Sequence, residues 1–556
     1  MSTDDKTLTL GIWLRVFPYV TLRGEGIYRL LLSLMQAAQA RADLKIVVAI
    51  PRWAVPDLMD LLCEHGIPAG RLEIMSSRHG VPFLIRLRRY LERRRPRGKP
   101  ALGSFLERIA AALWNLPVSG SLMRGLLSTD NYVVAGLLLL VLLPVSVVLL
   151  PLVLLAPLMR RVIFASGVGR LQRAFEGFWQ LSGETLRNMR GKWMGAITTV
   201  YEGVIEHEFD RLARKASRRG DVQVWFVPYP GSVNTRLIRS PLVVAVPDLV
   251  YLDFPSTFDT RWACKVDREI RDVTHRAAAT VSYSEYVRDR HVVEHLSVDR
   301  ARTHVIPHAP LACDQHLAEA LRTHDGDMRR AAASVIRDYL KDAEGDFLWS
   351  PNIPSGYLAD FPFDEVDFLF VSSQIRPSKN YMNLLRAYET VLRRHYRNVK
   401  LVTTGRLKYE SSGIQDFVTD RHLELDILSI PNMPSDVHAA FFHLAALTVV
   451  PTFFEGGFPF PFSESLSVGT PVIMSSIPVT REVVPPELAK VMLFDPYDVE
   501  DMTGRILWAL DHRRELLERQ RPFSEQLKRR TWKQVADEYL AVFQGVVSAH
   551  QVRSAK

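Results

Sequence analysis

Residues 447–476 have the sequence LTVVPTFFEGGFPFPFSESLSVGTPVIMSS, in which an apolar run, a turn rich in glycine and proline, and a helix-compatible stretch follow one another. This order predicts a buried strand that leads through a loop into a helix, and then a second buried strand. In open parallel sheets the loops that follow the strands carry the ligand site. The loop before this helix is therefore the first candidate site of the chain.

Two carboxylates and two glycines characterise this loop and the helix after it. Gly456 and Gly457 permit a close approach of backbone to a ligand, and the helix start favours an anion through its N–H groups and dipole. A carboxylate would repel a phosphate, so Glu455 suits the hydroxyls of a sugar and Glu464 those of a ribose. The alternative for Glu464 is a partner of the helix dipole.

Two further loops carry cations after predicted strands. Arg376 and Lys379 lie in QIRPSKNY, where an arginine fork and a lysine point charge suit a diphosphate. The alternative is a surface pair at a helix start. Arg406 follows Gly405 in TTGRL, where a plain turn is equally compatible with the sequence.

The whole chain alternates apolar runs with helical stretches, which predicts an α/β fold with two doubly wound, Rossmann-like parallel sheets. Two such domains facing a cleft place ligands at the carboxyl ends of their strands. The predicted strands are residues 8–14, 44–50, 222–228, 241–248, 278–284 and 303–309, and then 366–373, 399–405, 425–430, 447–452 and 471–476.

These patterns divide the chain into five predicted parts. They are an N-terminal domain of residues 1–76 and 221–310, a basic and apolar insertion over 77–220, a linker or lid over 311–365, a second domain over 366–525, and a C-terminal helix over 526–556.

The insertion contains a membrane signal, because residues 132–159 carry no charge over 28 positions. Strands of one predicted sheet lie on both sides of the segment, so a single crossing would separate them across the bilayer. Pro144 and Pro151 can break a helix near its middle. We therefore expect a re-entrant, membrane-inserted helical hairpin; a full span is the alternative.

Basic charge accompanies this segment. The chain has a net charge of +9, and residues 86–100 hold eight Lys and Arg against one Glu. Such a run predicts contact with an anionic inner leaflet, with a solvated charge run as the alternative. Nucleic acid is not an expected partner, since no binding module for it accompanies the run.

The cysteines and the N-terminal residues indicate the cellular compartment in which the protein is expected. Cys63, Cys264 and Cys313 lie far apart in the sequence without metal-ligand spacing, which favours reduced thiols and no metal site. The polar start MSTDDKTLTLGIW lacks the apolar region of a secretory signal. We expect a location at the cytoplasmic face of the inner membrane, held by a monotopic or re-entrant anchor.

Several of these motifs resemble the retaining glycosyltransferases of family 4, which have the GT-B fold. Residues 449–484 are similar to the donor-site signature of that family, and SSQIRPSKNYMNLLRAYETVL to its Arg/Lys loop. LVVAVPDLVY, ATVSYSEYVRDRHV and HVIPHAP are similar to landmarks of its N-terminal domain, and RTWKQVADEYLAVF to its C-terminal helix. The resemblance makes the N-terminal domain the acceptor domain and residues 366–525 the donor domain, and it implies that the helix over 526–556 crosses back to the N-terminal domain.

The resemblance implies a nucleotide-sugar donor such as a UDP- or GDP-sugar, no required metal or other cofactor, and transfer with retained configuration. It assigns the diphosphate to Arg376 and Lys379, the ribose to Glu464, and the sugar to Glu455 with the backbone of Gly456–Phe458. Gly24 and Gly26 match the glycine loop of the family near acceptor and phosphate.

Departures from the family affect the side of the site that handles protons. Eight residues instead of seven separate the two acids, and Pro247 replaces the histidine of an "HD" landmark, so that Asp248 alone carries over. His308 is a further candidate polar group, with a capping or structural role as the alternative. Glu455, Asp248 and His308 are the predicted catalytic set.

The leading hypothesis is a retaining hexosyltransferase that builds a cell-surface polysaccharide or a lipid-linked glycan, with an integral-membrane partner as another reason for the anchor. A non-catalytic scaffold subunit on the same fold is the alternative. A related sugar-nucleotide enzyme such as an epimerase is a third reading.

Overall fold

The computed structural model describes residues 7–20, 22, 27–41, 43–68, 70, 72–77, 80–93, 201–321, 327–407 and 412–554. The chain forms two compact units, one of residues 1–28, 38–225 and 234–240 and the other of residues 29–37, 226–233 and 241–556. The predicted five-part division of the chain stays a prediction.

The first unit contains three parallel strands in the order β3-β2-β1, namely β1 (Leu8–Trp13), β2 (Leu44–Ala49) and β3 (Leu72–Met75). Every residue of β1 is buried, as expected for a parallel strand covered on both faces. A Cβ on Gly11 would collide with the ring of Trp225, the second residue of the buried strand β4 (Val224–Val227). A side chain at position 11 would therefore push Trp225 out of place.

The second unit contains two sets of parallel strands. One set has the order β5-β6-β7, with β5 (Leu242–Ala245), β6 (Ala279–Ser282) and β7 (Thr303–Val305). The other set, called the second sheet below, has the order β10-β9-β8-β11-β12-β13. Its strands are β8 (Phe368–Val371), β9 (Lys400–Thr403), β10 (Ile427–Ser429), β11 (Leu447–Val450), β12 (Val472–Ser475) and β13 (Leu493–Phe494).

All eleven predicted strands are present, each shorter than the apolar run that predicted it. The prediction of two parallel α/β sheets is thus confirmed. β3 and β13 were not predicted. The longer helices of the described residues are Ile27–Ala40, Val55–Glu64, Phe83–Arg93, 201–217, Thr260–Arg276, Asp314–Leu321, Met328–Phe347, Tyr381–Arg393, Ser412–Asp420, Ser435–Leu444, Phe460–Ser467, Val499–Asp511, Arg513–Lys528 and Trp532–Ser554.

The core of the second sheet lies on both of its faces. Alternate residues of β8 enter different hydrophobic clusters, Leu369 and Val371 on one face and Phe368 and Phe370 on the other. This alternation follows from the period of two along a strand.

Residues 311–365, predicted as a linker or lid, contain two helices that pack onto this core. Ile336 and Leu340 of the Met328–Phe347 helix are fully buried in the Phe368 cluster. Phe363 meets the ring of Phe441 edge-on at 5.2 Å. The segment is therefore part of the layer that covers one face of the second sheet.

The C-terminal helix Trp532–Ser554 buries one stripe of apolar side chains. Tyr539 and Phe543 are fully buried, and their rings lie 5.3 and 5.5 Å from that of Phe226 in β4. The helix thus packs against a residue from the first series of strands.

The predicted membrane elements fall mostly outside the described residues. Residues 132–159 lie there entirely, and no helix among the described residues is long and apolar enough to cross a membrane. Part of the basic run is described, and it makes internal contacts. Arg89 donates to the backbone carbonyls of Trp53 and Pro18, and Arg88 lies over the ring of Tyr201.

Candidate active site

The candidate site lies where the strand order of the second sheet reverses. β8 is the first strand of that sheet along the chain, and it pairs with β9 on one side and β11 on the other. The loops after β8 and β11 therefore leave the sheet in opposite directions, which opens a crevice at the carboxyl ends of these two strands. Both loops carry residues that the sequence predicted for a donor site.

The loop after β8 holds the two predicted cations. Arg376 precedes a short 3₁₀ turn of Pro377–Lys379 and is exposed, whereas Lys379 is half-buried. Asn380 follows in the left-handed conformation with a φ of 56°, and its buried amide donates to the carbonyl of Pro496 at 2.8 Å. Asparagine tolerates this conformation better than most residues, so the turn that places Lys379 is fixed by the residue after it.

Hydrogen bonds tie this loop to the loop after β11. The carbonyl of Ser378 accepts from the hydroxyl of Thr452 at 3.0 Å and from the backbone N–H of Phe453 at 2.8 Å. The Lys379 Nζ lies 2.5 Å from Oε1 of Glu455. Two residues predicted for different parts of a donor, 76 positions apart in the sequence, are thus in direct contact.

The glycines of the second loop lie against the residues that follow β5 and β6. A Cβ on Gly456 would collide with the carbonyl oxygen of Pro247, and the carbonyl of Gly456 accepts from the hydroxyl of Ser284 at 2.9 Å. A Cβ on Gly457 would lie 3.2 Å from Cβ of Tyr283. Gly456 therefore has no room for a side chain, whereas Gly457 has a little.

Asp248 lies beside this loop, with its Cβ 3.1 Å from where a Cβ on Gly456 would be. Burial raises the pKa of its carboxyl, the N–H of Val250 opposes the shift, and the charge of Glu455 adds to it. Asp248 is thus a second, buried carboxyl close to Glu455, which itself pairs with Lys379. This arrangement agrees with a role of Asp248 near reacting groups, which stays a prediction.

His308 lies in an aromatic surrounding. Its ring centre is 4.0 Å from that of Tyr283, 5.3 Å from Phe460 and 5.8 Å from Trp532. Burial lowers the pKa of His308 to about 4, and the charge of Arg530 adds to the shift. The imidazole is therefore neutral near pH 7.

Other predicted residues lie near the crevice with less direct contact. Glu464 is 6% exposed on the Phe460–Ser467 helix, and Arg406 is half-buried after β9. The half-buried ring of Phe458 packs edge-on against Phe462 at 5.3 Å. Gly24 and Gly26 lie outside the described residues.

Sequence reasoning missed two residues that hold the loops together. Ser284 contacts Gly456, and Glu482 accepts from the backbone N–H groups of Glu285 and Tyr286 at 2.8 and 3.2 Å. The sequence SYSEY at the end of β6 resembles a family landmark, but nothing in its spacing indicates a partner 172 residues away. Among the described residues, no group of three or more His, Cys, Asp or Glu side chains could hold a metal ion.

Part of the chain is similar to known proteins. Residues 360–530, which include both loops, match the family of glycosyl transferases group 1. The chain is 28% identical over 136 residues to the O-antigen chain mannosyltransferase B of Escherichia coli, which covers 24% of this chain and 35% of that protein. It is 28% identical over 184 residues to the MMP alpha-(1->4)-mannosyltransferase of Mycolicibacterium hassiacum, over 32% of this chain and 43% of that protein.

The chain thus spans less than half of the length of these two relatives. Among solved structures, a glycosyltransferase from Rickettsia africae superposes with a TM-score of 0.50 at 9% identity, over 97% of this chain and 99% of that one. At this identity the likeness concerns the fold. The chain has two parallel-sheet α/β domains like those of GT-B glycosyltransferases, and residues 360–530 are similar to a group 1 glycosyltransferase domain.

Proposed function

We propose that this protein is a retaining hexosyltransferase that moves a sugar from a nucleotide-sugar donor to a glycan or lipid-linked acceptor. The observation that carries the proposal is the pair of loops at the strand reversal between β8 and β11. They bring a cation suited to a diphosphate and a carboxylate suited to sugar hydroxyls within 2.5 Å of each other. The match to group 1 glycosyl transferases over the same residues supports it.

In the proposed reaction, Arg376 and Lys379 bind the diphosphate of the donor. They stabilise the negative charge that grows on the leaving phosphate as the bond to the anomeric carbon breaks. Glu455 and the backbone from Gly456 to Phe458 orient the sugar. The acceptor hydroxyl attacks from the same face, and its proton goes to the leaving diphosphate, so that configuration is retained without a bound metal.

The acceptor side is proposed on sequence grounds. The apolar segment 132–159 and the basic run 86–100 favour an acceptor or an integral-membrane partner at the cytoplasmic face of the inner membrane. Synthesis of a cell-surface polysaccharide would need such an arrangement. The O-antigen mannosyltransferase among the relatives makes a mannosyl donor the first to test.

The test is a donor panel with the full-length chain. Release of nucleoside diphosphate from UDP-, GDP- and ADP-sugars is measured with and without a membrane extract as acceptor, for the wild type, Lys379→Ala and Glu455→Ala. We expect turnover with one class of donor and a loss of at least about 100-fold in both variants. Arg393→Ala, which removes an exposed arginine bound to Glu389, serves as control and keeps the wild-type rate.

Two results would contradict the proposal. Near-wild-type rates in both variants would show that the loops are not the donor site. Nucleotide binding without turnover on any donor, or no binding at all, would favour the scaffold subunit instead.

A further inference from the structure

The ion pair between Lys379 and Glu455 joins the two groups that the proposed function assigns to different parts of one donor. Their side chains are only 24% and 22% exposed, so solvent screens their attraction less than that of a surface pair. Before a donor binds, the cation meant for the diphosphate is neutralised by the carboxylate meant for the sugar. Any ligand with a diphosphate must compete with Glu455 for Lys379.

The pair is held by the backbone on both sides. Ser378, next to Lys379, accepts two hydrogen bonds from Thr452 and Phe453, close to Glu455. Asn380 anchors the other side of Lys379 to the carbonyl of Pro496. The backbone beside Lys379 is therefore held in place, so that rotation of the two side chains is enough to separate the pair.

The surroundings make it costly to leave Glu455 without a partner. Asp248 is a second, buried carboxyl close enough for the charge of Glu455 to raise its pKa and for that of Lys379 to lower it. When a diphosphate takes Lys379, Glu455 loses its cation and faces a new anion, beside a second carboxyl whose ionised form is already disfavoured by burial. A partly buried carboxylate without a hydrogen-bond partner is destabilised.

The two possible nucleotide ligands differ at this point. An intact nucleotide sugar brings hydroxyl groups that can donate to Glu455 and replace Lys379. A nucleoside diphosphate alone lacks the transferred sugar, and its ribose hydroxyls are assigned to Glu464, so Glu455 stays uncompensated or keeps Lys379 from the phosphate.

We infer that Glu455 makes the site select the intact nucleotide sugar over the nucleoside diphosphate that remains after transfer. This inference rests on the proposed function and deepens it. Once the sugar has left, the Lys379–Glu455 pair forms again and weakens the hold on the product. The same carboxylate thus orients the sugar and promotes release of the spent nucleotide.

The test is the ratio of two dissociation constants, measured by isothermal titration of the full-length protein with a nucleotide sugar and with its nucleoside diphosphate. The base is the one that the donor panel selects. The wild type should bind the intact donor more tightly. Glu455→Gln removes the charge with little change in shape, and it should tighten the nucleoside diphosphate by roughly 3- to 10-fold and weaken the donor, since 1.4 kcal/mol is tenfold in affinity.

A matched control is available in the same unit. Glu487→Gln removes the carboxylate of another ion pair, in which Glu487 lies 2.9 Å from Lys490. The Glu487 side chain is 85% exposed and the Lys490 side chain 68% exposed. It should leave both constants unchanged.

The inference is overturned if Glu455→Gln weakens both ligands equally, if the ratio does not change, or if the wild type binds the nucleoside diphosphate more tightly than the donor. The comparison of the two dissociation constants of the wild type tests the inference even where the Glu455→Gln variant does not fold. Absence of binding of either nucleotide to the wild type would refute the proposed function itself, and the inference with it. Binding of both with an unchanged ratio would refute the inference alone.

Discussion

Gly456 shows how a single missing side chain shapes the site. Its backbone lies against the carbonyl of Pro247 so closely that a methyl group does not fit, and this contact places Glu455 beside Lys379. The glycine was predicted from the sequence as a point of close backbone approach to a ligand. The structure adds that the close approach is to other protein backbone.

We expect Gly456→Ala to lower the free energy of unfolding by about 1–3 kcal/mol and to reduce turnover strongly, because the loop must move to relieve the collision. Chemical denaturation and the donor assay measure both effects. Gly504→Ala is the control, since position 504 lies exposed in the Val499–Asp511 helix with open space around a Cβ. It should be neutral or stabilising by about 0.5–1 kcal/mol. Equal effects of the two changes would contradict this account of Gly456.

His308 gives a prediction about pH. Its pKa is about 4 in the folded chain because burial disfavours the cation, whereas an unfolded histidine titrates near 6.5. Between these values only the unfolded state takes up the proton, so stability falls as the pH falls. The loss from this group is roughly 2 kcal/mol at pH 5 and is complete below pH 4.

His308→Gln should remove this dependence. Thermal unfolding of the wild type and the variant at pH 7 and pH 5 compares them directly, and the wild type should lose more stability on acidification. Parallel losses would show that His308 is not a buried neutral imidazole.

At the scale of elements, the strands were predictable and several connections were not. Parallel strands covered on both faces appear in the sequence as continuous apolar runs, and each of the eleven runs contains a strand. β3 was not predicted because its sequence, LEIM, is short and contains the charged residue Glu73, which is bound to Arg219 and Lys45. β13 has only two residues.

The helices between residues 311 and 365 were not predicted from the sequence for a different reason. Glycine, proline and acidic residues mark the segment as a loop, whereas its stability comes from tertiary packing of Ile336, Leu340 and Phe363 against the second sheet. The candidate site was predictable only in part.

The local sequence indicates Arg376, Lys379 and Glu455 as candidate residues. The contact of Lys379 with Glu455 depends on strand order, which the spacing of residues does not reveal.

The C-terminal helix offers a test at this scale. Tyr539 and Phe543 are fully buried against Phe226, so Phe543→Ala should lower the free energy of unfolding by about 3–5 kcal/mol. Lys533→Ala, whose side chain is 81% exposed in the same helix, should change it by less than about 0.5 kcal/mol. Chemical denaturation measures both. A small effect of Phe543→Ala would mean that the helix does not depend on this contact.

At the scale of the whole molecule, a strand reversal positions the proposed donor site. The reversal between β8 and β11 opens a crevice, and the two loops there bring opposite charges together. In the proposed function, the diphosphate of a donor binds the cation and a sugar hydroxyl binds the carboxylate. The family match over residues 360–530 is independent of this geometry and agrees with it. Substrate and acceptor are proposals that follow from these loops and from the apolar and basic segments of the sequence.

A crystal structure of the full-length protein with a non-hydrolysable nucleotide-sugar analogue tests the central claim most directly. We predict the diphosphate within hydrogen-bond distance of Lys379, a sugar hydroxyl on Glu455, and the direct contact between Lys379 and Glu455 broken. An analogue bound elsewhere, or bound there with the Lys379–Glu455 pair intact, would contradict the account.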